Sequence, residues 1–172
     1  MAVPVPGQRN RQSAFGGAQT GPNPTDRGKS GTKRHVLTDQ RGAPLAVTIT
    51  AANLNDMKAA FATLEGMAPA RPAVRPYHPQ HLCLDKGYDY PEIDQGVRER
   101  GYTPHIRRRG EPQLEPGGPR RHRARRWVVE RTASWHNRFR KLAVRFEKKA
   151  RNYLALVHFA CCLIIYRLTI LG

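Results

Sequence analysis

At 172 residues the chain is long enough for one domain with a fair-sized core. Its 30 Lys and Arg against 13 Asp and Glu leave a formal charge of +17, which repels itself in a compact fold and calls for a polyanionic partner, most often nucleic acid. An anionic membrane surface would call instead for a basic amphipathic helix with little else.

In chain order, the opening MAVPVPGQRNRQ lacks the apolar stretch of a secretory signal. Residues 1–30, rich in Gly, Pro, Gln and Arg, read as a flexible leader. Within them Gly28-Lys29-Ser30 ends like a phosphate-binding loop. The glycine that such a loop needs five residues earlier is Asn23, and Pro22 and Pro24 lack N–H groups where donors are wanted. The residues after Ser30 alternate and are β-branched rather than helical in pattern, so a nucleotide loop is not expected.

KRHVLTD and PLAVTITA read as two strands of a hairpin with Asp39 and Gly42 at its corner. Asp56 is a plausible N-cap for a helix that buries Met57, Ala60, Phe61, Leu64 and Met67. After a proline-punctuated loop, HLCLD reads as a buried strand ending near Asp85. PEIDQGVRERG reads as a short helix opened by Pro91 and stopped at Gly101, and YTPHI as a further strand. The order strand, strand, helix, strand, helix, strand, then helices describes an α/β layer architecture.

Residues 107–126 read as an exposed basic loop. Beyond it Val128, Trp135, Phe139, Leu142 and Phe146 form an apolar stripe on a long helix or a bent pair, within C-terminal helices over 125–170. The last apolar run, YLALVHFACCLIIY, is too short for a span of about 18 to 20 residues and reads as a buried helix, with no membrane partner. Three cysteines without a CxxC pair point to reduced thiols. His78, His81 and Cys83 lack a second ligand pair at zinc-site spacing.

Two acids stand out in this basic chain. Glu130 lies among thirteen Lys or Arg between Arg120 and Arg151, where Glu147 is the one other acid. It could pair with Arg126 one helical turn before it, or serve chemistry. Asp85, at the C-terminal end of a buried strand, could cap the following turn or sit where α/β sheets place functional groups. A strand-end Asp and a helix-borne Glu in a basic chain suggest metal-dependent phosphodiester chemistry. Mg²⁺ (or Mn²⁺) prefers such carboxylate oxygens, and Arg and Lys would hold the DNA backbone. Two ions normally need at least one further carboxylate.

TGPNPTDRGKSGTKRHVLTDQRGAPLAVTITAANLND, then LDKGYDY, then VVERTASWHNRFRKLAVRFEK, together resemble bacterial insertion-sequence transposases of the DDE class, of the insertion-element families four and five type, over residues 13–168. The resemblance implies an RNase H-like mixed sheet flanked by helices over 31–172. It also implies two Mg²⁺ ions held by Asp, Asp and Glu, for cleavage at the element's ends and strand transfer. Asp85 matches the second Asp and Glu130 the Glu. Arg131 matches the basic residue after that Glu, and Arg126 and Arg138 share a helix that lies close to DNA in related enzymes. Gly28-Lys29-Ser30 becomes a turn feeding a strand, with Lys29, Lys33 and Arg34 free to meet phosphates.

The family's first Asp precedes an RAxxGG-like stretch that here reads RQSAFGG, and residues 1–12 contain no acid. The expectation is therefore a catalytic part lacking its first strand and first ligand, inactive alone. It could depend on an upstream-frame transposase half, and a homodimer is the usual working state. A cytoplasmic, nucleoid-associated location follows from DNA as partner. The alternative function is a non-catalytic basic nucleic-acid-binding protein. A ribonucleoprotein component would need more exposed aromatics for base stacking.

Overall fold

In the computed structural model, residues 11–75, 77–106 and 126–171 are described. The expected basic loop therefore lies outside the described residues, apart from its last position. The central element is the hairpin of β3 (Ser30–Thr38) and β4 (Pro44–Ala51), paired antiparallel from Thr32↔Ala51 to Thr38↔Pro44. Its corner is built as the sequence implies. The Asp39 carboxylate accepts from the amides of Arg41 and Ala43, and Gly42 takes a φ of 85° that L side chains rarely adopt.

Two short strands flank the start of β3: β1 (Arg11–Gln12) and β2 (Gly21–Pro22), both antiparallel to it. Residues 11–30 are therefore not the flexible leader expected from composition. Arg145, fully buried, ties them down: its guanidinium donates to the carbonyls of Ala18 (2.7 Å) and Lys148 (3.2 Å) and to Thr32 Oγ1 (2.7 Å), while Nε reaches the Glu147 carbonyl (2.8 Å). A Gly/Pro-rich segment is thus held by pairing to β3 and by long-range contacts, of which the Arg145 guanidinium makes several. Within it Gly28, at a φ of 73°, turns the chain into β3, and the amides of Asn23 and Gly28 close that turn. Gly28-Lys29-Ser30 is a turn feeding a strand, as the resemblance implies.

The second sheet is a parallel pair, β5 (Gln80–Leu84) and β6 (Tyr102–Ile106), linked by a 3₁₀ turn (Lys86–Tyr88) and α2 (Pro91–Glu99). Pro104 is tolerated in β6 because that strand pairs with β5 on one side. Among the described residues no strand joins the two sheets. They share a core nonetheless. Leu37 and Ala46 pack with Leu82, Leu84, Tyr88, Ile93 and Val97, and with Ala60 and Leu64 of α1 (Met57–Glu65). Asp56 adjoins α1 but makes no side-chain cap bond. Asn55 accepts from the Met57 amide instead, and Asp56 turns inward to an ion pair, correcting the capping expectation.

The other face of the hairpin carries a second core: Val36, Val47 and Ile49 against Leu142, Tyr153, Val157 and Ala160. It is closed by α3 (Arg126–Asn137), α4 (Arg140–Ala143) and α5 (Ala150–Ile170), the first two forming the bent pair expected. The C-terminal helix corrects the sequence reading. It runs 21 residues, has mean hydropathy 1.8 over an 18-residue window, and only 28% of that window is buried. By length and composition it could cross a membrane. Its inward face, however, is built into the core through Tyr153, Val157, Ala160, Cys161 and Ile164. The result is a mixed α/β architecture of two sheets and helices, compatible with an RNase H-like fold.

Candidate active site

Asp85 follows the last residue of β5. Leu82 and Leu84 point into the core, so the strand is anchored and the next residue emerges at its C-terminal end, half-buried. Asp85 Oδ1 accepts from the Gly87 amide at 2.7 Å and caps the 3₁₀ turn. A Cβ on Gly87 would lie 2.8 Å from that oxygen, so the glycine permits the approach. One carboxylate oxygen is thus taken up by the cap, which fixes the side chain's orientation.

Behind Asp85 lies Tyr88, 1% exposed. Burial chiefly, then the negative charges of Asp56 and Asp85, raise its phenol pKa. Asp56 itself pairs with Lys33 at 3.1 Å, and the Lys33 ammonium also donates to the Leu54 carbonyl at 2.7 Å. Neighbouring His35 shares a 2.8 Å hydrogen bond with Thr50 Oγ1. Burial holds its pKa down at about 4 in spite of Asp56.

Glu130 is exposed in the second turn of α3. The helix is positioned from below by buried Val128 and Val129 and by Thr132, whose hydroxyl donates to the Gly42 carbonyl at 2.7 Å. Arg131 Nη2 donates to the Arg41 carbonyl, with its guanidinium between the Trp127 and Trp135 rings at 4.8 and 5.0 Å. The residue after Glu130 therefore clamps α3 to the hairpin corner. Lower down, His136 lies 3.2 Å from Cys161 Sγ. Burial first, then the Arg34 charge, push its pKa down to about 3.

Of the basic residues expected to meet DNA, Lys29 and Arg138 are exposed. Lys33 is occupied by Asp56 and is not free. Arg34 is 8% exposed and donates to Asn137 Oδ1 at 2.9 Å, an acceptor that it shares with Arg11. Both serve the fold, because alternation along β3 turns the two side chains toward its two packed faces. The side chain of Arg126 lies outside the described residues.

Asp85 and Glu130 offer hard oxygen donors of the kind that divalent ions such as Mg²⁺ accept. Among the described residues no group of three or more His, Cys, Asp or Glu could hold a metal ion. Donor chemistry fits; donor number falls short of a two-ion site.

The family described as transposase DDE domain matches residues 2–165. This chain belongs to that family. A Burkholderia cepacia protein, bearing the name of a candidate transposase for insertion sequence element IS402, is 38% identical over 156 residues. That match takes in 88% of this chain and 71% of the relative. The resemblance drawn from the three sequence segments holds, and the chain is an insertion-sequence DDE transposase. Transposases of this domain generally use divalent metal ions.

Proposed function

We propose that the chain is the RNase H-like catalytic part of a transposase that cleaves the ends of an insertion element and transfers them into target DNA. The observation that carries this reading is Asp85, set by the Gly87 amide at the end of a buried parallel strand, in a chain of the DDE family whose α3 bears Glu130. Asp85 and Glu130 would hold the divalent ions, Mg²⁺ or Mn²⁺. Those ions, when bound, activate the attacking oxygen of an in-line displacement and stabilise the leaving one. The chain's own contribution is placement. The Gly87 amide restrains one carboxylate, and the Arg131 clamp fixes the helix that carries the other. Exposed Lys29 and Arg138 hold phosphates.

Asp85 and Glu130 are two carboxylates, too few by themselves to hold two ions firmly. The chain alone should cleave little until a third carboxylate reaches the site, and an upstream-frame half is one source. DNA as partner implies a cytoplasmic, nucleoid-associated location. The same two-carboxylate count favours, as a second reading, a basic protein that binds nucleic acid without cutting it.

Fluorescence anisotropy with an element-end duplex and a scrambled duplex tests the DNA reading. Binding should prefer the element end and fall linearly in log K against log salt. No binding to either duplex at about 50 mM salt, where phosphate contacts are strong, would overturn it.

A further inference from the structure

Along the sequence, His81 and Cys83 lack a second ligand pair at zinc-site spacing. The fold brings a partner from 24 residues away. In the parallel pair, His81 stands opposite Thr103 and Cys83 opposite His105. Gln80, Leu82 and Leu84 are buried, so alternation sends His81 and Cys83 to the other face of β5, and Thr103 and His105 to that same face of β6. There His81 Nδ1 and His105 Nε2 lie 2.8 Å apart, with ring centroids at 4.9 Å and planes inclined at 46°. Both residues are half-buried.

A hydrogen bond between two imidazoles needs one N–H and one lone pair. At least one of these rings is therefore neutral, and the two nitrogens are aimed at one point between them. We propose that His81 and His105 form a chelate for an imidazole-preferring divalent ion of the Zn²⁺ class, which takes the place of the shared proton and ties β5 to β6.

The geometry is close to what such an ion needs. With Zn–N bonds of about 2.0 to 2.1 Å, two nitrogens on a tetrahedral ion stand about 3.3 to 3.4 Å apart. The 2.8 Å separation has to open by about half an ångström, which small rotations of two half-buried rings supply. Five residues of each strand pair in continuous register, so both donors are held near their places before the ion arrives.

Donor type separates this site from the carboxylates: imidazole suits Zn²⁺, whereas carboxylate and water suit Mg²⁺ and Mn²⁺. Among the described residues no group of three or more His, Cys, Asp or Glu could hold the ion, so two imidazoles are the protein's share and water fills the remaining positions. The site uses neither Asp85 nor Glu130, and it would persist in a catalytically silent chain. Its link to them is positional, because the strand that carries His81 ends just before Asp85.

The experiment is calorimetric titration of the full chain with Zn²⁺, in excess Mg²⁺ to occupy the carboxylates. Saturable binding is expected, weakened about tenfold or more in both His81→Gln and His105→Gln and unchanged in Asp85→Asn. Amide hydrogen exchange of the wild type reads the site without a variant: Zn²⁺ should raise protection in residues 80–84 and 102–106. That measurement decides the matter should a histidine variant fail to fold. No saturable binding to the wild type overturns the proposal and leaves the pair as a hydrogen bond between strands. So does binding kept at full strength in either histidine variant, or protection that rises only outside the two strands. Binding lost in Asp85→Asn overturns it in favour of the carboxylate site.

Discussion

Lowering the pH from 7 to 5 should destabilise this protein through two buried imidazoles. His35 and His136 are 3% and 1% exposed, and burial depresses their pKa values from 6.5 to about 4 and about 3. The unfolded chain takes up a proton at each site near pH 6.5, whereas the folded chain does not until pH 4 or below. The stability that these groups contribute is therefore complete above pH 6.5 and is lost as pH falls toward the folded values. Each site costs about 1.4 kcal/mol per pH unit within the window, so the pair removes about 4 kcal/mol between pH 7 and 5. That is a large share of a typical stability of about 5 to 15 kcal/mol. Urea unfolding followed by tryptophan fluorescence at pH 7, 6 and 5 measures it, and His136→Gln should cut the loss by roughly half. Equal stability at pH 7 and 5, or a His136→Gln chain with the full wild-type loss, would refute the assignment of buried neutral histidines.

Arg145→Met should cost about 1 to 3 kcal/mol in urea unfolding, because it leaves the buried Thr32 hydroxyl without this donor and removes the donor to the part-buried carbonyls of Ala18 and Lys148. Limited proteolysis should then cut first within residues 13–23. Gly42→Ala should cost about 1 to 3 kcal/mol by thermal unfolding, since it strains a φ of 85° and sets a Cβ 3.0 Å from Thr132 Oγ1. In DNA titrations, Lys29→Ala and Arg138→Ala should each flatten the salt dependence by about one unit of slope. Lys33→Ala should instead act through stability, by removing the partner of Asp56 at 3.1 Å.

Much of the fold was legible because local signals agreed with the tertiary outcome. The β3–β4 hairpin was announced by alternation, β-branched residues and a corner Gly, and the parallel pair by short apolar runs between Pro and Gly. What escaped depended on distant partners. Arg145 reads as one basic residue among many, yet it is buried and donates to Ala18 and Thr32, both far off in the chain. Asp56 reads as a helix cap because nothing local reveals Lys33 across the hairpin. The apolar run 153–166 says that α5 is hydrophobic all round but not which face the core can cover. In the candidate site, sequence motifs placed Asp85 and Glu130 on the strand end and helix where they are found. The inward turn of Lys33 and Arg34 required the fold.

The most direct test of the central claim is Mn²⁺ binding by the full chain, followed by electron paramagnetic resonance without DNA or turnover. Weak binding is predicted for the wild type, lost in both Asp85→Asn and Glu130→Gln while folding and DNA affinity remain. Mn²⁺ binding that is absent from the wild type, or unchanged by both substitutions, would contradict the metal-holding role of these two carboxylates and leave the non-catalytic reading in its place.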